Sequence, residues 1–174
     1  MFDTVRKEAV YPFPPEQVWV AITDPRAIAE WLMPNDFQPV NGHRFRFQVD
    51  PSPGCGNGIT ECEVMEVQPP SRLVYSWLPR TKEGRPLAGR PSTVTWTLHR
   101  EGAGTRLVLE HTGLLGVFPW WQRLMLRMGW GTMVKRWLPK VASNAAAGGA
   151  FTPGAIPLEK RCYRTNTIPA NMIR

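Results

Sequence analysis

Apolar and polar positions alternate with a period of two along most of the first two thirds of the chain. From Asp3 to Tyr11, Val5, Ala9 and Tyr11 oppose Arg6, Glu8 and Val10, which predicts a first strand. Pro14-Pro15 then opens a short helix, PPEQVWVAIT, because a first helical position tolerates the missing proline N–H. Asp24-Pro25 restarts a second helix with Asp24 as its cap and Ala27, Ile28 and Trp31 inward, and Pro34-Asn35-Asp36 ends it. Five strands are expected next. Phe45, Phe47 and Val49 alternate with Arg44, Arg46 and Gln48. In ITECEVMEV the period slips near Val64-Met65, as at a bulge. RLVYSWL aligns Leu73, Tyr75 and Trp77; STVTWTLHR aligns Val94, Trp96 and Leu98; TRLVLEHTG aligns Thr105, Leu107, Leu109 and His111. Such alternation marks an antiparallel sheet with one face covered and the other wet.

The turns between these strands are PSPGCGNG, Pro69-Pro70 and Glu101 to Gly104, and the polar Arg80–Pro91 segment is expected to be a mobile loop. Residues 118–147 switch to a helical period. Trp121, Leu124, Met125 and Met128 form one stripe, while Trp130, Met133, Val134, Trp137, Leu138 and Val141 form another about 180° away on a continuous helix. A break at Gly129 or Gly131 would reconcile the two, and Pro139 should bend or shorten the second helix. Residues 1–145 thus read as one domain and 146–174, without periodicity, as a flexible tail.

The resulting order is α+β: a strand, two short helices, five strands and a long C-terminal helix. A curved antiparallel sheet of about six strands cannot be touched everywhere by one helix, so a cavity between sheet and helix is expected. Its lining would be Phe45, Phe47, Tyr75, Trp77, Trp96, Leu98, Leu109 and His111 facing Trp130, Met133 and Trp137, with Trp31 at the corner where the second helix ends. Plain core packing would account for the same aromatics.

Composition narrows the functional classes. The net charge is +7, but the cations fall on separate elements, which argues against a nucleic-acid partner. Three cysteines, Cys55, Cys62 and Cys162, lack ligand spacing and fit a reducing, cytoplasmic setting. No run of eighteen apolar residues offers a transmembrane segment. His43, His99 and His111 lie on different elements, so no metal site is expected, and phosphate-cradling and dinucleotide motifs are absent. His111 and Tyr75 are the polar groups that alternation turns inward; Glu61, Glu63 and Glu66 would supply a carboxylate only if the bulge reversed one of them. No catalytic residue and no cofactor is assigned. The Trp120-Trp121 pair would form an exposed lip or cap the cavity mouth.

FPPEQVWVAITDPRAIAEWL, the F-x-P-V-x-G-x-x-F-x-F segment from Phe37 to Phe47, CEVMEVQPPSRLVYSW, GTRLVLEHTGL and GWGTMVKRWL resemble, in this order, the SRPBCC (START-like) superfamily. Within it they are most similar to the branch of heat-shock-protein ATPase activator homologues, over residues 3 to 145. The resemblance implies a helix-grip fold and a hydrophobic pocket for lipid-, polyketide- or aromatic-like molecules. It supplies no universal catalytic set. Binding of a small hydrophobic molecule is therefore the expected function. The alternatives are a cyclase, dehydratase or hydrolase using the same cavity, and a co-chaperone-like domain. The oligomeric state is left open.

Overall fold

The computed structural model describes residues 2–161 together with Tyr163, Asn166, Ile168, Pro169 and Met172. The alternating segments form β1 (Val5–Tyr11), β2 (Arg44–Gln48), β3 (Ile59–Gln68), β4 (Arg72–Pro79), β5 (Ser92–Glu101) and β6 (Gly104–Thr112). They pair antiparallel in one sheet ordered β1-β6-β5-β4-β3-β2. Registers such as Val94↔His111, Trp96↔Leu109 and Leu98↔Leu107 put the apolar residues of neighbouring strands side by side on the inner face. The slipped period in β3 is a bulge between Val64 and Glu66. Met65 is left exposed there, and no glutamate is reversed. Glu61, Glu63 and Glu66 all stay on the wet face, paired with Arg80, Arg44 and Arg72.

Two short helices, α1 (Pro15–Thr23) and α2 (Pro25–Trp31), follow β1, each with proline in its first turn. Asp24 caps α2 by accepting the Arg26 backbone N–H at 2.8 Å. The Arg80–Pro91 segment is folded back on itself: Thr81 N–H donates to Arg85 O, and Arg80 pairs with Pro86.

The C-terminal helical run departs from expectation. Helix α3 (Trp120–Thr132) continues through both Gly129 and Gly131, then opens into a π-helical turn, Met133–Trp137, and ends in α4 (Leu138–Ala142). The irregularity is thus displaced from the glycines to the residues before Pro139. Proline has no N–H to continue the ladder and its ring crowds the preceding turn, and the wider i→i−5 bond from Leu138 N–H to Met133 O accommodates it. The Tyr11 hydroxyl donates to the Val134 carbonyl within this turn. Because the helix is continuous, its two apolar stripes do lie on opposite sides. Trp130, Val134, Leu138 and Val141 are buried, whereas Trp120, Trp121, Leu124, Met125 and Met128 are 40–68% exposed.

Within residues 146–174, expected to form a flexible tail, the described part makes definite contacts. Phe151 and Ile156 are buried against the core. The carboxylate of Glu30, only 2% exposed, accepts the backbone N–H groups of Gly154 at 2.6 Å and Ile156 at 2.9 Å. Arg161 stands 3.4 Å from the same carboxylate. Tyr163, Ile168 and Met172 form a small separate cluster with Val49. Cys162 lies outside the described residues.

Candidate functional site

Aromatic rings fill the centre of the sheet's inner face. Phe37, Phe45, Phe47, Tyr75 and Trp77 form a chain of ring contacts with centroids 5.0–6.3 Å apart, mostly edge to face. Trp130 of α3 meets Trp77 and Trp96 at 5.8 Å each, and Trp96 meets Trp31 at 5.5 Å. Edge-to-face pairs add roughly 0.5–1.5 kcal/mol to the burial of each ring. Trp31 Nε1 donates to Ala21 O at 2.8 Å, and Trp96 Nε1 donates to the Tyr75 hydroxyl at 3.1 Å. The grip of sheet on helix is therefore solid over β4, β5 and β6.

His111 sits at the heart of this packing with no exposed surface. Its Nδ1 accepts from Trp130 Nε1 at 3.0 Å. An indole can only donate, so the imidazole proton must be on Nε2, which donates to Ser92 Oγ at 2.9 Å. The Ser92 hydroxyl donates in turn to Trp77 O at 3.0 Å. Both ring nitrogens of His111 and the Ser92 hydroxyl thus have hydrogen-bond partners. Desolvation pushes the His111 pKa down to about 3, so the ring is neutral and fixed in one tautomer. Burial likewise raises the Tyr75 hydroxyl far above its ordinary value. It also raises the buried Cys62 thiol, with smaller contributions from Asp36 and Glu61. These inward polar groups serve packing and do not converge on an open point.

Space opens to one side of the aromatic centre, where α3 leaves the sheet. A pocket of about 470 Å³ lies between the end of α2 (Leu32, Met33), the 49–58 loop, Thr60, Trp77 and Pro79 of the sheet, and Phe118, Gln122, Met125, Leu126, Gly129, Trp130 and Met133 along the helix. Tyr163 closes part of its rim. The loop keeps its shape because Gly56 and Gly58 have φ of +57° and +83°, and a Cβ at either would fall 1.9 Å from a backbone oxygen, of Arg80 and Val49 respectively. Gln122 ties the loop to the helix by donating from Nε2 to Gly54 O at 3.1 Å. The exposed thiol of Cys55 is also on the pocket wall. A second hollow, about 430 Å³, lies over β2, β3 and β4 and is lined largely by the charged side chains Asp36, Arg44, Arg46, Glu61 and Glu63.

Of the residues expected to line a cavity, the structure brings Trp77, Trp130 and Met133 onto the apolar pocket. Trp31, Phe47, Tyr75, Trp96, Leu98, Leu109 and His111 are buried in the packed centre, and Phe45, also buried, reaches the charged hollow from beneath. Trp137 is half-buried and packed against the core, with Arg136 and Lys140 over its ring at 5.0 and 5.1 Å. Pocket residues not anticipated include Leu32, Met33, Phe118 and the 49–58 loop. The signal that pointed to this region was the first helical stripe, since Met125 belongs both to that stripe and to the pocket. Among the described residues no group of histidines, cysteines and carboxylates is placed to hold a metal, and no helix is long and apolar enough to cross a membrane.

Comparison with known families settles the lineage. Residues 12–138 match the model of the "Activator of Hsp90 ATPase homolog 1-like protein" family. The chain belongs to this family. Solved structures of similar chains agree with it. A protein from Mesorhizobium loti is 35% identical, with a TM-score of 0.62 over 79% of this chain and 94% of its own. One from Bacillus halodurans is 26% identical, with a TM-score of 0.62 over 80% and 96%. CalU16 from Micromonospora echinospora is 26% identical, with a TM-score of 0.60 over 87% and 69%. Among curated proteins none matches the chain. The activator-homologue family and the helix-grip architecture, a six-stranded antiparallel sheet around a long C-terminal helix, are those expected from the motif order.

Proposed function

We propose that the protein binds a small hydrophobic molecule in the pocket between α3, the 49–58 loop and the open end of the sheet. The observation that carries this reading is an apolar hollow of about 470 Å³ beside a fully packed centre. That size is within the roughly 300–1,000 Å³ of small-molecule sites. Leu32, Met33, Trp77, Phe118, Leu126, Trp130 and Met133 would form its walls, with Gln122, Ser52, Asp50 and Thr60 among the polar groups near the ligand. The methionines and the gap at Gly129 suit an occupant of irregular outline. Binding without chemical conversion is favoured because His111 and Tyr75, the inward groups capable of proton transfer, are committed to hydrogen bonds within the core. The cytoplasmic setting read from the cysteine pattern belongs to the same proposal.

Native mass spectrometry of freshly purified protein tests it directly. The expected result is a co-purified apolar compound that is lost in the Gly129→Phe variant. Protein that carries no adduct, and neither takes up nor enhances a naphthalene-type fluorescent probe, would count against the reading.

A further inference from the structure

Helix α3 is apolar on the side that faces away from the protein. Trp120, Leu124 and Met128 follow one another at i, i+4, i+8, and Trp121 and Met125 run beside them, so their exposed side chains cover one arc of the helix surface. A solvated helix ordinarily carries polar residues on this arc. The patch is continuous with the pocket: Met125 belongs to both, and the Trp121 ring would lie 3.4 Å from a Cβ at Gly54, in the loop that forms the opposite wall.

Charge indicates what the patch meets. Residues 111–158 contain the exposed cations Arg127, Lys135, Arg136 and Lys140, besides the buried Arg123, and not one aspartate or glutamate. Lys7 of β1 crosses the helix beside Gly131, its Nζ 3.5 Å from where a Cβ would be. Its pKa is lowered by partial burial and then by the nearby Arg127 and Lys135, which records how closely these cations cluster. The Asp3 carboxylate accepts the Leu115 backbone N–H, and Asp50 lines the pocket. A second copy of this chain would bring the same cations face to face. An exposed tryptophan, leucine and methionine face bordered by cations suits an anionic lipid surface instead, where the apolar side chains enter the acyl boundary and the cations meet headgroups.

We infer that α3 docks the protein on anionic lipid bilayers through Trp120, Trp121, Leu124, Met125 and Met128, with the pocket mouth turned toward the acyl chains. The docking stands on the helix face and its charges alone. The further step, that the pocket is filled from the bilayer, rests on the function proposed above.

Vesicle flotation of the full chain tests the docking without any bound ligand. Phosphatidylcholine vesicles are compared with vesicles carrying roughly 30 mol % phosphatidylglycerol, at low and high salt. The expected result is co-flotation with the anionic vesicles only, weakened by salt. Trp120→Ser combined with Leu124→Ser and Met128→Ser replaces exposed side chains and should leave the circular dichroism unchanged while weakening binding about tenfold or more. Arg127→Gln with Lys135→Gln should weaken it by about fivefold per charge. No flotation with anionic vesicles, or flotation indifferent to the triple substitution, overturns the inference. So does a protein found dimeric by sedimentation and made monomeric by the triple variant, since the face would then be an interface between copies.

Discussion

Lowering the pH from 6.5 to 5 should remove about 1.6 kcal/mol of folding stability through His111 alone. The folded-state pKa is depressed to about 3, against 6.5 for the free side chain. Across this window the unfolded chain binds a proton at His111 and the folded chain does not. Stability therefore falls as pH falls, with a slope that steepens from about 0.7 kcal/mol per unit at pH 6.5 to about 1.4 roughly one unit lower, and the loss levels off near pH 3. Few carboxylates titrate between pH 6.5 and 5, so histidine dominates the interval. His99 is exposed and His43 is partly exposed, with its Nε2 3.0 Å from Asp36 O. Urea denaturation at several pH values measures the slope, with His111→Gln as comparison; the variant should be less stable at every pH but flatter over this range. Nitrogen-15 NMR should find His111 Nε2 protonated and Nδ1 bare, with no titration down to pH 5. Equal slopes in the two proteins, or a His111 ring that titrates near pH 6, would refute the hydrogen-bond assignment and the neutral state drawn from it.

Ser92→Ala removes the acceptor of His111 Nε2–H and the donor to Trp77 O inside a dry core, and should cost about 2–4 kcal/mol by thermal or urea unfolding. Gly129→Ala meets nothing within 4 Å and should raise helix stability by about 1 kcal/mol, seen as a Tm increase of a few degrees. Gly129→Phe should leave the fold intact but abolish uptake of a hydrophobic fluorophore. Gly56→Ala or Gly58→Ala should loosen the 49–58 loop, because the added Cβ would collide with a backbone oxygen. Hydrogen exchange should report faster amides there, with the sheet unaffected.

Strand alternation was readable because one face of this sheet is buried, so registers and inward residues follow from period alone. The bulge at Val64 to Glu66 announced itself as a phase slip for the same reason. Pocket position was not readable from that signal. Trp96 and Trp77 have the same sequence signature, yet one is enclosed by Trp31 and Trp130 while the other also borders open space. Alternation says which side a residue faces, and the volume left over depends on how neighbouring rings interlock. The helical stripes illustrate a different difficulty. Their opposition was plain in the sequence, but a break was inferred because an outward apolar stripe violates ordinary amphipathicity. The rule failed at Trp120 to Met128, the segment for which a role on the surface is now proposed.

The latch at Glu30 bears on where this protein can be cut. The family match ends at residue 138, and a chain trimmed there would lose Gly154, Ile156 and Arg161, the partners of a carboxylate that is almost wholly enclosed. Left behind would be an anion in an apolar wall, obliged to take up a proton or draw water into α2. The evolutionary module and the thermodynamic unit then have different ends, and expression trials would sort them: chains ending after residue 161 should stay soluble, while those ending at residue 138 should aggregate.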